Sequence, residues 1–164
     1  MKRMNETIEL LAPAGNFEKL KVALRFGADA VYLGGKDFSL RSFADNFTQD
    51  ELRTAVEYAH ARGKKVYVTA NIFAKNADFA ALADYFRYLQ EIGADAALVT
   101  DAGAFSLARQ VAPELPLHVS TQANTTNKYA AKFWQEQGAE RVVLARELSL
   151  AEIREIHDFC PGLE

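Results

Sequence analysis

Ten residues, His118-Val119-Ser120-Thr121-Gln122-Ala123-Asn124-Thr125-Thr126-Asn127, set hydroxyls, amides and an imidazole where an apolar strand is ending. Such groups donate and accept hydrogen bonds, and histidine can also carry a proton near neutral pH. Side chains alternate across a strand, so Leu115, Leu117 and Val119 share one side and His118, Ser120 and Gln122 the other. One face packs and the other can bind. A nucleophile at Ser120 or Thr121 with His118 as its base is disfavoured, because residues two apart on a strand stand roughly 6–7 Å apart, beyond hydrogen-bond reach. A base from another strand, oriented by Asp101 or Glu147, is the remaining arrangement, and no G-x-S-x-G elbow accompanies it. No residue is assigned as catalytic. His118, Ser120, Gln122 and Asn124 read instead as a substrate-binding wall, with polar packing inside a barrel as the alternative.

The elements that hold this segment repeat along the chain. Apolar runs follow helix exits at Gly27, Gly63, Gly93 and Gly138, where a left-handed cap is required. A first strand is expected at Glu9-Leu10-Leu11-Ala12, and the fifth is entered through Pro113 and Pro116, which cannot continue a helix. Between them lie patterns such as Leu52, Val56 and Ala59, with apolar residues three or four apart. Thr48 with Glu51 and Ser149 with Glu152 form capping boxes. The reading is strand–helix, six times.

Alternating apolar strands and helices imply a parallel sheet covered by helices. No G-x-G-x-x-G or G-x-x-x-x-G-K-[ST] loop marks an open nucleotide-binding sheet. Polar residues recur at strand ends: Thr69 and Asn71, Thr100 and Asp101, Ser120 and Gln122, Arg146 and Glu147. A barrel gathers such ends at one mouth. At about 27 residues per unit, eight units need roughly 220 residues, near the lower end of barrel size. With 164 residues, the chain is expected to be a single α/β domain, a parallel (β/α) TIM-type barrel with about six of its eight units. His118, Ser120, Gln122, Asn71 and Asp101 are then expected around one cavity at the carboxyl ends of the strands.

The long connection from Gly34 to Phe47 carries Arg41, which with Arg146 can clamp a carboxylate or phosphate. Surface pairs, Arg41 with Asp45 and Arg146 with Glu147, are the alternative. His157 and Cys160 are too few to ligate a metal, so no metal site is assigned. Phe133-Trp134 and Tyr85-Phe86 with Tyr88 lie in amphipathic helices and are expected to cover the barrel.

Composition sets the remaining bounds. The chain is 49% hydrophobic and 25% charged, enough for one core, with no apolar run near the ~18 residues of a membrane span. Glu9 interrupts any secretory apolar core, and the single cysteine, Cys160, excludes an internal disulfide, so a cytoplasmic protein without a membrane partner is expected. A net charge of −3 supplies no general attraction to phosphate backbones.

Seven segments together resemble the N-terminal part of the collagenase-like peptidases, peptidase family U32: Glu9-Leu10-Leu11-Ala12-Pro13-Ala14-Gly15-Asn16, Gly27-Ala28-Asp29-Ala30-Val31-Tyr32-Leu33-Gly34, Ser39-Leu40-Arg41, Val66-Tyr67-Val68-Thr69-Ala70-Asn71-Ile72, Ser120-Thr121-Gln122-Ala123-Asn124, Lys132-Phe133-Trp134-Gln135 and Leu144-Ala145-Arg146-Glu147-Leu148-Ser149. Within that family the chain most resembles the branch involved in 5-hydroxylation of the tRNA wobble uridine. The resemblance implies an iron–sulfur cluster held by cysteines soon after the equivalent of Gly162, in a C-terminal segment absent from this chain. No cofactor is expected in the chain itself. It also implies a prephenate-like anionic donor, for which Arg41 and Arg146 are the natural partners, and tRNA as partner of the longer protein. Three readings stay open: a tRNA hydroxylation protein, a peptidase, and an inactive fragment that self-associates through its open edges.

Overall fold

A computed structural model describes residues 8–40 and 46–164. Arg41, Ser42 and Asp45, from the long connection, lie outside the described residues. Six strands, β1 (Leu11–Pro13), β2 (Ala30–Gly34), β3 (Lys65–Ala70), β4 (Ala96–Val99), β5 (Leu117–Val119) and β6 (Arg141–Val142), form one sheet in the order of the chain. Every adjacent pair is parallel. The helices are α1 (Phe17–Arg25), α2 (Gln49–His60), α3 (Phe79–Glu91), α4 (Ala102–Val111), α5 (Lys128–Glu136) and α6 (Leu150–Phe159). The architecture is the incomplete TIM-like barrel expected from the sequence, six strand–helix units curled into a part-barrel.

Strand alternation sorts the side chains into two layers. Val31, Leu33, Val66, Val68, Ala97, Val99, Leu117 and Val119 face the helices and share a core with Leu20, Leu52, Val56, Leu82, Phe86 and Leu89. Ala30, Tyr67, Ala96 and Leu98, with Leu11 and Tyr32, pack on the concave side. Tyr85, Phe86 and Trp134 belong to the outer core, and Tyr88 packs against it, as amphipathic spacing predicts, whereas Phe133, expected to cover the barrel with Trp134, is 49% exposed.

Local chemistry fixes the ends of the elements. Both capping boxes form: the Thr48 and Ser149 side chains accept from the Glu51 and Glu152 amides, and those carboxylates accept in return. The glycines at the four helix exits all have positive φ, reaching 100° at Gly27 and 95° at Gly138. The two Gly-Ala-Asp steps share one device. Asp29 accepts the Leu10 amide at 3.0 Å and Asp95 the Val66 amide at 2.7 Å, so each carboxylate hooks its strand's entry to the preceding strand. The first strand runs over Leu11–Pro13, where the sequence suggested residues 9–12.

At the far edge, the Glu164 main chain lies beside β6, its carbonyl accepting the Val142 amide at 2.8 Å and its own amide donating to Glu140 at 3.1 Å. Inside, Arg141 at the start of β6 reaches Glu9, just ahead of β1, at 2.9 Å. That pair spans the opening between the two outer strands.

Candidate functional site

Polar side chains meet where β2, β3, β4 and β5 end. Thr69, Asn71, Thr100 and Ser120 are all buried there. Thr69 donates to the Leu33 carbonyl at 3.2 Å and shares a 2.9 Å bond with Ser39. Asn71 accepts the Leu40 amide at 3.2 Å through Oδ1 and approaches Gln122 Oε1 with Nδ2 at 3.4 Å. The Ser120 hydroxyl donates to the same Gln122 oxygen, and Thr100 reaches the Asn71 carbonyl at 3.5 Å. Gln122 thus accepts twice while its side-chain nitrogen donates to no described residue, and its exposed amide fronts the cluster.

The other candidates take different positions. Asn124 is exposed beside this cluster in the left-handed region, φ 53°, ending the short turn Thr121–Ala123. Asp101 is the N-cap of α4, accepting the Ala104 amide at 2.8 Å, so helix capping occupies one of its oxygens. Arg146 and Glu147 are exposed in the turn after β6. Arg41 lies outside the described residues, so the Arg41–Arg146 clamp has only its second half in view.

His118 is separated from the strand exits. It sits in the middle of β5 on the concave side, its ring 4.8 Å from that of Tyr67. Burial, assisted by the Arg141 charge, lowers its pKa to about 4, so the imidazole is neutral at pH 7. Alternation places His118 and Ser120 on the same face, yet one pleat repeat divides them: Ser120 joins the mouth and His118 faces the strand entries. Sequence reasoning passed over the companions of His118, namely Glu9, Lys65, Tyr67 and Arg141. Their signal was available, since Lys65, Tyr67 and Arg141 occupy inward positions of apolar strands.

Neither Ser120 nor Cys160 pairs with a base among the described residues. The Ser120 hydroxyl is committed to an amide, and Cys160 is buried with its sulfur 3.7 Å from the Lys128 carbonyl. Burial raises the Cys160 pKa, which keeps the thiol protonated and unreactive. The described residues contain no cluster of three or more His, Cys, Asp or Glu suited to a metal ion. A single cysteine aimed at a backbone carbonyl does not fit an iron–sulfur cluster, which draws on about four thiolates. No described helix is long and apolar enough to cross a membrane.

Comparison with known proteins gives the family and the fold. Residues 15–164 match peptidase family U32. The chain is 49% identical over 150 residues to tRNA hydroxylation protein P1 of Bacillus subtilis, covering 92% of this chain and 36% of that protein. It is 43% identical to tRNA hydroxylation protein P of Escherichia coli, covering 95% and 34%, and 34% identical to a collagenase of Porphyromonas gingivalis, covering 92% and 36%. The chain therefore spans about a third of the length of these curated relatives. A solved U32 peptidase superposes with a TM-score of 0.79 at 14% identity, covering 99% of this chain and 70% of that one. An archaeal fructose 1,6-bisphosphate aldolase gives 0.61 at 20% identity, covering 85% and 61%, a likeness of fold alone. On these matches and the shared part-barrel, the chain belongs to peptidase family U32.

Proposed function

We propose that this chain forms the N-terminal barrel segment of a protein that 5-hydroxylates the tRNA wobble uridine, its mouth binding a small anionic organic donor of the prephenate kind. The observation that carries the reading is the 49% identity, over 92% of this chain, to a relative named for tRNA hydroxylation. The mouth chemistry supports it. Asn71, Ser120 and Gln122 present amide and hydroxyl groups suited to orienting a polar ligand, and Arg146 supplies an exposed cation at the same rim. A net charge of −3 supplies no general attraction to phosphate backbones, so tRNA would be held by parts of the longer protein beyond this segment.

Nucleoside mass spectrometry tests the assignment. Deleting the gene that carries this segment should remove 5-hydroxyuridine derivatives from tRNA, and the wild-type gene should restore them. Gln122→Ala should lower the restored level about tenfold, the rate equivalent of one lost orienting hydrogen bond. Unchanged hydroxylation in the deletion strain would overturn the proposal. A peptidase reading has the family's collagenase relative in its favour. Casein cleavage abolished by Ser120→Ala in a folded protein would put it first.

A further inference from the structure

We propose that Asn71 is a positioning residue that locks the Gln122 amide with its nitrogen toward the mouth, so that the site takes a ligand by a carboxylate or keto oxygen and refuses an amino group in that place. The inference deepens the proposed role of the mouth and rests on that reading.

The direction of each bond in the cluster follows from one backbone group. An amide's oxygen and nitrogen are told apart by the bonds around them. The Leu40 amide can only donate, so the Asn71 atom 3.2 Å from it is the side-chain oxygen. The Asn71 nitrogen is thereby turned toward Gln122, and the Gln122 atom it meets at 3.4 Å must accept. That atom is Oε1, and the Ser120 hydroxyl, bonded to the same oxygen, must donate to it. With both lone pairs of Oε1 engaged, Gln122 offers the mouth two N–H groups and no acceptor.

Burial keeps this relay from turning over. Asn71 and Ser120 follow directly on the ends of β3 and β5 and are 4% and 5% exposed. Thr100 also holds the Asn71 carbonyl, at 3.5 Å. Reversing Gln122 would set nitrogen against nitrogen and leave the buried Asn71 donor without a partner. Gln122 itself is exposed, so its N–H pair is within reach of a ligand.

Phenylpyruvate is the probe, with phenethylamine as a counterpart of similar size whose only polar group donates. Binding to the chain labelled with nitrogen-15 is read from the Gln122 side-chain amide resonances. Phenylpyruvate should shift them saturably and phenethylamine should not. Gln122→Met, of similar length but without donors or charge, should weaken phenylpyruvate about tenfold. Asn71→Asp keeps an acceptor for Leu40 but turns a second one on Gln122, drawing the Gln122 nitrogen inward. In that variant one Gln122 N–H proton should move downfield before any ligand is added, a signature that added charge or looser packing alone would not give, and phenylpyruvate should weaken about tenfold. If circular dichroism shows the variant unfolded, Ser120→Ala replaces it, with a loss of severalfold as Gln122 is held by one bond instead of two. Absence of phenylpyruvate binding, equal responses to the two probes, or affinity unchanged in these variants would overturn the inference. Loss of 5-hydroxyuridine in the deletion strain alongside such a result would leave the tRNA reading standing; binding as expected with hydroxylation intact in that strain would remove the tRNA reading and keep the oxygen-reading site.

Discussion

His118 couples the strand-entry network to pH. Its folded pKa of about 4 lies below the ordinary 6.5, so the unfolded chain binds the extra proton. Its stabilising contribution is complete above pH 6.5 and is lost as pH falls toward 4, up to about 3 kcal/mol over that window. Burial pushes the Glu9 carboxyl up, but bonds from Tyr67, Arg141 and Lys65 outweigh burial and hold it below its usual value, adding a loss of the same sign at lower pH. Urea unfolding at pH 7, 5.5 and 4.5 should show stability falling, and His118→Gln should flatten the fall. Equal slopes for the two proteins would show that His118 is not the group responsible. Asn71, 4% exposed with Oδ1 on Leu40 and Nδ2 on Gln122, should lose about 1–3 kcal/mol on Asn71→Ala, read in the same titration at pH 7. Period-two reasoning gave the face of His118 and Ser120 but not their ends of the barrel, because alternation carries no information about depth. Gln122 lies beyond β5, in a turn whose geometry sets its direction.

Gly34 shows what an element needs beyond its own propensities. It ends β2 where Ser39 and Thr69 approach so closely that a Cβ would meet their hydroxyl oxygens at 2.6 and 2.9 Å. Gly34→Ala should break the Ser39–Thr69 bond and loosen the start of the β2–α2 connection, while the outer core stays packed. Hydrogen exchange should quicken around Leu40 and Phe47 with little change in α3 or α4; uniform acceleration would mean that Gly34 supports the whole sheet. Ser149→Ala should cost about 1 kcal/mol by deleting a capping box, measured as a shift in the urea midpoint. The caps and the helix-exit glycines were legible in the sequence because their partners lie three or four residues away. The need at Gly34 was hidden, since Thr69 is 35 positions distant and only strand register brings it close. The Gly-Ala-Asp steps were legible as a repeat, and their hooking of neighbouring strands became visible only with the sheet order.

At the scale of the molecule, a sheet ordered β1 to β6 has two outer strands that do not pair with each other. Glu164 already covers part of β6 with its main chain. On the opposite side β1 is only three residues long and contains Pro13, which offers no amide and so blunts strand addition. Backbone pairing is therefore the weaker route to association, and exposed apolar surface the stronger. Ile8 is 95% and Leu10 56% exposed beside that edge, next to an opening bridged by the Arg141–Glu9 pair. The sequence implied open edges by counting six units, whereas which edge carries the apolar surface depended on how Leu10 was tied down. We expect self-association that rises with concentration and is reduced by the double substitution Ile8→Lys, Leu10→Lys. Light scattering across a dilution series measures it. A wild-type chain that stays monomeric at its highest concentration and unfolds cooperatively would show that the curled sheet and its entry-end ion pairs seal the opening without a partner.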